Sequence, residues 1–303
     1  EIDQAAAEPK DAYKVLRPQQ IAQISYPYEW CFSQLRDAAL LTLRVAELAL
    51  QKGMILKDAS AYNVQFLDSK PILIDTLSFE TYQEGAPWIA YGQFCKHFLA
   101  PLAAMAYVDI RLNQLLRIHI DGIPLDLAAN LLPFRTRFNP GLGLHLHLHA
   151  RAHRKAVSRE LAHDNKVRMV SKHGLLALLD NLKSTISRLS WKPGGSEWFD
   201  YYTANNNYGE AGLVEKESVV ESQLQKIQPR TVWDLGGNTG RFSRVAARLG
   251  ARVTCWDIDP GCVESNYRYV QTHNETKLLP LLLDLTNPAP GLGWSNTERE
   301  GFI

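Results

Sequence analysis

The sequence predicts a two-domain α/β protein of 303 residues. In residues 196–303, short apolar runs alternate with helical patterns and a glycine-rich turn follows the first run, which is typical of a doubly wound parallel sheet. In residues 1–195, a long helical stripe precedes two short apolar runs joined by a turn. This pattern predicts a mainly helical α+β domain with a β-hairpin.

The first predicted element is a helix over residues 33–51. Its apolar and small residues recur at helical spacing, and Gly53 follows as a helix-ending glycine. Residues 64–67 and 72–74 are apolar and flank a turn, which predicts the hairpin. Residues 151–192 are basic and are predicted to form a helical connection between the domains.

The most informative segment is residues 231–240, which read TVWDLGGNTG. An apolar run that suits a buried parallel strand closes on Asp234 and is followed by Gly236, Gly237 and Gly240. Glycine lets the backbone approach a ligand closely and adopt dihedral angles that side chains forbid. The segment therefore predicts a strand, a ligand-binding turn and the start of a helix.

Helices are predicted on both sides of this turn. One precedes it over residues 217–227, and a second follows it and ends at Gly250. Asp259 and Pro260 are a typical N-cap and first residue of a third helix.

Two more strands are predicted, and each leads into an aspartate. Residues 251–256 form the second apolar run, which ends at Asp257. Residues 278–283 form the third, which ends at Asp284. Because parallel strands end at the same edge of a sheet, we expect these carboxylates to lie near the glycine-rich turn.

The spacing of the turn decides between two kinds of cofactor. A dinucleotide-binding fingerprint needs glycine at its first, third and sixth positions, and counting from Gly236 the chain has Asn238 and Arg241 at the last two. The pattern Asp234-x-Gly236-x-Asn238-x-Gly240 instead resembles the first motif of class I S-adenosylmethionine-dependent methyltransferases. That cofactor has no pyrophosphate and carries an amino-acid zwitterion and a sulfonium, so a nearby carboxylate is useful.

The methyltransferase resemblance implies a Rossmann-like domain and a set of cofactor contacts. It implies that Asp257 accepts hydrogen bonds from the two ribose hydroxyls, that Asp284 lies beside the adenine amino group, and that Tyr208 and Lys216 cover the methionine end. The implied cofactor-binding residues are Asp234, Gly236, Gly237, Asn238, Gly240, Phe242, Asp257, Ile258, Asp284, Leu285, Tyr208 and Lys216.

The methyltransferase resemblance begins at about Trp198 and covers only part of such a domain. Residues 231–303 hold three strand–helix units, whereas a class I core has seven strands, so we expect this domain to be truncated. The fourth strand, which usually carries catalytic residues, is expected to begin near Gly301. No catalytic residue is therefore assigned.

A second pattern in the N-terminal part suggests a different activity. Asp58, Asn63 and Asp75 resemble the catalytic loop and metal-binding acid of protein kinases and aminoglycoside phosphotransferases. The histidine expected before the first acid is Leu56, and no glycine-rich loop precedes it. These differences favour a kinase-like remnant on the substrate side over an active phosphotransferase.

Four stretches together resemble a bacterial family related to the rhizobial nodulation protein NoeA, which is described as S-adenosylmethionine-dependent methyltransferases. They are SYPYEW, LKDASAYN, PILIDTLSFE and DLGGNTG. This resemblance implies methyl transfer to a small-molecule, glycan or protein acceptor, with the N-terminal domain as a companion. A non-catalytic module that binds the cofactor and a partner is the alternative.

Composition limits the remaining classes of function. The formal net charge is +1, which does not indicate nucleic-acid binding, and no apolar run is long enough to span a bilayer. We expect a cytoplasmic protein without membrane contact. The four cysteines form no C-x-x-C pair, and the alternating His145, His147 and His149 have no acidic or cysteine neighbours, so no metal site is predicted.

Overall fold

The structure is a computed structural model that describes residues 17–152, 169–194, 196, 198–199, 201 and 209–302. Tyr208 lies outside the described residues. The described chain combines many helices with one three-stranded and two two-stranded sheets, which is compatible with the predicted α/β class.

The long N-terminal helix and the hairpin are both confirmed. Helix α1 spans Phe32–Gln51 and buries its apolar stripe, and Gly53 follows it with a φ of +76°. Strands Val64–Leu67 (β2) and Lys70–Leu73 (β3) pair antiparallel across a two-residue turn. Asp68 and Ser69 both have positive φ in this turn, as its tight geometry requires.

A second antiparallel pair escaped the sequence analysis. Met54–Leu56 (β1) pairs with Phe79–Thr81 (β4), and the two strands enclose the hairpin in sequence. Three residues are too few to show an alternating pattern, so these strands could not be recognised from periodicity.

Short helices make up most of the remaining structure in residues 17–152. The α-helices are Tyr91–Phe94 (α2), Ala100–Tyr107 (α3), Leu115–Ile118 (α4), Leu125–Leu131 (α5) and Pro140–Leu142 (α6). The π-helical stretches are Cys95–Leu99, which joins α2 to α3, and Gly143–Leu148, which extends α6. The 3-10 helices are Pro27–Glu29, Ala61–Asn63, Ile110–Gln114 and Phe134–Phe138.

The basic segment over residues 151–192 was expected to be a helical connection between the domains. Residues 153–168 lie outside the described residues, and the helix that follows them is packed into the N-terminal core. Lys172–Arg188 (α7) packs along α1, and it buries Leu175, Leu179 and Leu182 in the main core. Helix α7 carries an apolar stripe among its basic residues. Because this stripe is buried, the helix is part of the N-terminal core.

The C-terminal part contains a parallel sheet with the predicted order of elements. Its strands are Thr231–Leu235 (β5), Arg252–Asp257 (β6) and Leu278–Leu282 (β7), in the order β5-β6-β7. Its helices are Gly209–Ile227 (α8), Arg241–Arg248 (α9) and Pro260–His273 (α10). Helix α8 begins eight residues before the predicted start, and a 3-10 turn spans Trp294–Asn296.

Strand β5 is exposed at the edge of this sheet, which corrects the prediction of a buried strand. It pairs only with β6 among the described residues, and Trp233 and Leu235 are 55% and 47% exposed. An apolar run indicates that a strand is suited to burial, but it does not show how many neighbouring strands it has. Gly301 and Phe302, where a fourth strand was expected, have no strand conformation.

The two halves of the chain share one hydrophobic core. Phe66 of the hairpin contacts Tyr267 of α10, with ring centroids 6.1 Å apart. The side chain of Gln34 donates a hydrogen bond of 2.9 Å to the backbone oxygen of Pro280 on β7. The sheet is therefore positioned by the N-terminal part, while the domain boundary at residue 195 stays a prediction.

Candidate functional site

The glycine-rich turn joins the end of β5 to the start of α9. Gly236, Asn238 and Gly240 have φ values of +79°, +52° and +81°. The backbone N–H groups of Gly236 and Gly237 both donate to the oxygen of Trp256, over 2.9 and 3.0 Å. These two bonds fix the turn against the end of β6.

The glycines of the turn have different physical roles. A Cβ on Gly236 would meet no atom within 4 Å, so this residue presents bare backbone to open space. A Cβ on Gly237 would overlap Cys255, and one on Gly240 would lie 2.5 Å from Nδ2 of Asn266. Gly237 and Gly240 therefore allow close packing inside the protein, and Gly236 is the glycine that a ligand can approach.

Asp234 anchors the turn from the strand side. One of its carboxylate oxygens accepts a 2.6 Å hydrogen bond from the hydroxyl of Ser243 in α9. The bond ties the end of β5 to the first turn of the helix. Asp234 thus holds the turn in shape and also lines the cavity described below.

Asp257 supports the turn from β6. One of its oxygens accepts the backbone N–H of Asn238 over 2.7 Å, and the other accepts the N–H of Asp259 over 2.8 Å. The side chain is only 7% exposed. Burial raises the pKa of this carboxyl, and the two backbone hydrogen bonds oppose that rise.

Asp284 lies beyond the end of β7 and is organised by its own loop. One of its oxygens accepts hydrogen bonds from the N–H and the hydroxyl of Thr286, over 2.8 and 2.6 Å. These bonds lower the pKa of the carboxyl, so it is ionised at neutral pH.

A cavity of about 730 Å³ opens at the carboxyl ends of the three strands and along the free edge of β5. It gathers ten of the twelve predicted cofactor residues, and Gly240 is absent from its wall because it faces Asn266. The ten residues are Asp234, Gly236, Gly237, Asn238, Phe242, Asp257, Ile258, Asp284, Leu285 and Lys216. The twelfth, Tyr208, is outside the described part of the chain.

Helix α8, together with Trp198 and Tyr201, covers one side of this cavity. The ammonium group of Lys216 lies 4.6 Å from the centre of the Phe242 ring. The side-chain amide of Asn238 donates 2.7 Å to the backbone oxygen of Trp198, and Trp198 and Tyr201 line the cavity. Asn238 therefore ties the glycine-rich turn to Trp198.

Aromatic side chains form a wall beside the cavity that was not predicted from the sequence. Trp233 and Trp256 meet edge to face with ring centroids 4.9 Å apart, and Phe302 stacks on Trp233 at 5.5 Å. Both tryptophans line the cavity. The sequence did contain a signal for this wall, because each tryptophan directly precedes the aspartate near the end of its strand. Parallel pairing of the two strands then places both tryptophans on one face of the sheet.

The kinase-like residues are held by neighbouring side chains. One oxygen of Asp58 accepts hydrogen bonds from the N–H of Ser60 and the amide of Gln93, both over 2.9 Å. Ser78 links the other two residues: its hydroxyl donates 2.5 Å to Asp75 and accepts a 3.4 Å bond from Asn63.

The predicted histidine pattern falls on the π-helical stretch after α6. His145 bonds to the hydroxyl of Tyr91 and to Asn181, and His147 bonds to the hydroxyl of Thr136. Within the described ranges, no three histidine, cysteine or acidic side chains are grouped to hold a metal ion. His145 and His147 thus connect elements of the N-terminal core.

Comparison with known proteins finds a relative that matches nearly the whole of this chain. The chain is 38% identical over 293 residues to a protein of Rhizobium meliloti (strain 1021). That protein is nodulation protein NoeA, which this chain therefore resembles. The alignment covers 95% of this chain and 61% of NoeA, so the chain spans less than two thirds of that relative. The predicted resemblance is thus confirmed across both halves, and the name of NoeA ascribes a role in nodulation to that protein.

Two further comparisons have narrower results. No protein-family model matches the sequence. Among the described residues, no helix is both long enough and apolar enough to cross a membrane.

Proposed function

We propose that this chain binds S-adenosylmethionine and transfers its methyl group to an acceptor, through a Rossmann-like domain of the class I methyltransferase type. The observation that carries the proposal is the convergence of the glycine-rich turn, Asp257 and Asp284 on one cavity. The carboxyl ends of parallel strands are where α/β proteins bind their ligands. The similarity to nodulation protein NoeA agrees with the family resemblance that the sequence predicted.

The residues around the cavity fit this cofactor. Gly236 offers bare backbone with open space beside it, which suits the methionine portion. Asp257 uses one lone pair on each oxygen for a backbone N–H, and each oxygen has a second that can accept from a ribose hydroxyl. Asp284 keeps one oxygen without a protein hydrogen bond among the described residues, which suits an adenine amino group.

The cofactor supplies an electrophilic methyl group when it is bound. The protein then needs mainly to position the reactants and to exclude water. Trp198, Tyr201, Trp233 and Trp256 line the cavity with aromatic rings, which limit solvent access. Asp234 and Asp257 keep the turn rigid through their hydrogen bonds, so little reorganisation is needed on binding.

The acceptor is a small molecule, a glycan or a protein side chain, and a cytoplasmic location stays a prediction from the sequence. A non-catalytic cofactor-binding module would use the same cavity. Release of S-adenosylhomocysteine during incubation with candidate acceptors distinguishes the two functions, because only the enzyme turns over.

Calorimetry with S-adenosylhomocysteine tests the binding step. We expect Asp257→Ala to weaken binding by about 1.5 to 3 kcal/mol, the scale for hydrogen bonds to a charged group. Asp180→Ala is a matched control, because Asp180 is exposed on α7 and outside this cavity. Unchanged affinity in Asp257→Ala, or tighter binding of NAD than of S-adenosylhomocysteine, would refute the assignment.

A further inference from the structure

A second cavity lies in the N-terminal half, apart from the glycine-rich turn. It has a volume of about 560 Å³ and shares no lining residue with the first cavity. Its walls come from the α2 region, the loop before α5, and the end of the helix that continues α6. No described residue of the proposed cofactor site lines it.

The walls of this cavity combine polar side chains with apolar surface. Asp121 and Asp126 are exposed carboxylates on one wall, and Lys96 and Gln93 are half-buried on another. Leu125 and Ala150 add buried apolar surface. Hydrogen-bond donors and acceptors therefore line the same space as a substantial apolar area.

His97 is the buried polar group of this cavity. It is 2% exposed, and its Nδ1 atom makes no hydrogen bond to any described residue. Burial lowers the pKa of His97 to about 4, against the opposing effect of Asp58 and Asp121. The imidazole is therefore neutral near pH 7, with one nitrogen as donor and the other as acceptor. A buried polar atom without a partner points to a missing ligand or water.

The cavity is preformed. Gly122 has a φ of +86°, and a Cβ there would lie 2.6 Å from Cβ of Lys96 and 3.0 Å from Cδ2 of His97. The N–H of Ile123 also donates 3.0 Å to the backbone oxygen of Lys96. The amide of Gln93 is fixed between Asp58 and the N–H of Ala59. Rigid walls reduce the cost of ordering on binding.

The chemistry of the walls selects among ligand classes. A phosphate would meet a single lysine opposed by two carboxylates, which disfavours an anion. A divalent cation is disfavoured, because the described residues provide no group of three side chains that could hold it. A neutral compound with many hydroxyls can donate to the carboxylates and accept from Lys96 and His97 at once.

We infer that this second cavity binds a neutral polyol, such as a sugar ring. Asp121, Asp126 and Gln93 accept or exchange hydrogen bonds with its hydroxyls, and His97 bonds to the group that enters most deeply. This site is independent of the proposed methyl transfer, so either proposal can fail without the other.

Saturation-transfer NMR on the full chain tests the inference with D-glucose, D-galactose and myo-inositol as probes. We expect ring-proton signals from at least one probe, and at least a fivefold weaker affinity in both Asp121→Asn and His97→Phe. Asp180→Asn is the control and should keep full affinity. Thermal melting by circular dichroism identifies a variant that fails to fold, and Asp121→Asn alters an exposed side chain, so it keeps the test decisive.

Three outcomes would overturn the inference. One is the absence of a signal from all three polyols, and another is equal affinity in Asp121→Asn and the unmodified chain. The third is tighter binding of putrescine or inorganic phosphate than of every polyol, which would assign the cavity to a charged ligand.

Discussion

Asn238 offers a sharp test of how the glycine-rich turn holds its shape. It is 6% exposed, has a φ of +52°, and bonds through its side chain to the oxygen of Trp198 and the N–H of Thr239, each over 2.7 Å. Asn238→Gly keeps the backbone conformation but removes both side-chain bonds. At about 1 kcal/mol each, we expect a loss of about 2 kcal/mol in the free energy of unfolding.

Asn238→Ala separates backbone strain from hydrogen bonding. Alanine loses the same two bonds and must also occupy the left-handed region, which costs a further 1 to 2 kcal/mol or so. We therefore expect the alanine variant to be less stable than the glycine variant by about that amount. The backbone bond from residue 238 to Asp257 is available to both variants.

Urea unfolding, followed by circular dichroism, measures both differences. Calorimetry with S-adenosylhomocysteine then shows whether release of Trp198 also weakens binding. If alanine is as stable as glycine at position 238, the turn does not hold this residue in the left-handed conformation. If both variants match the original chain, the bonds to Trp198 and Thr239 contribute nothing and the reasoning fails.

Three other predictions follow from the structure. Gly236→Val should abolish S-adenosylhomocysteine binding in calorimetry, because the side chain would fill the open space beside the turn, whereas normal binding would place the ligand elsewhere. Asp58→Asn should leave that binding unchanged, and a magnesium-dependent rise in melting temperature with ATP would instead support phosphotransfer. Burial raises the pKa of Glu29 to about 7, so the protonated carboxyl is favoured in the folded protein. Its ionisation should therefore lower the free energy of unfolding by about 3 kcal/mol as the pH rises from 4.5 to 7. Urea titrations should show this loss in the original chain and not in Glu29→Gln.

The parts of the fold that the sequence predicted are those with local signals. Helix α1 follows from its apolar stripe, the start of α10 from Asp259 and Pro260, and the hairpin from its turn. Each depends on residues within one or two turns of each other, where spacing and capping chemistry are decisive. The order of strands and acids around the cavity follows from the same local rules.

The parts of the fold that were not predicted depend on contacts between residues far apart in the sequence. The exposure of β5 reflects the absence of a second neighbouring strand in the described chain, and an apolar run carries no such information. Gly240 was assigned to a ligand, but its space is limited by Asn266, which lies one helix, one strand and part of a second helix later. Such packing roles require the three-dimensional neighbours to be known.

A buried carboxylate links the two halves of the chain. Glu264 of α10 is fully buried and accepts hydrogen bonds from the N–H and hydroxyl of Ser33, over 2.9 and 2.6 Å, and from Arg268 over 2.7 Å. Removal of the N-terminal half would take away two of these three donors and expose the face of α10 that contacts α1. The helix follows directly after Asp257, so its position also fixes the loop that supports the glycine-rich turn. The N-terminal half is therefore expected to maintain the geometry of the cofactor cavity without lining it.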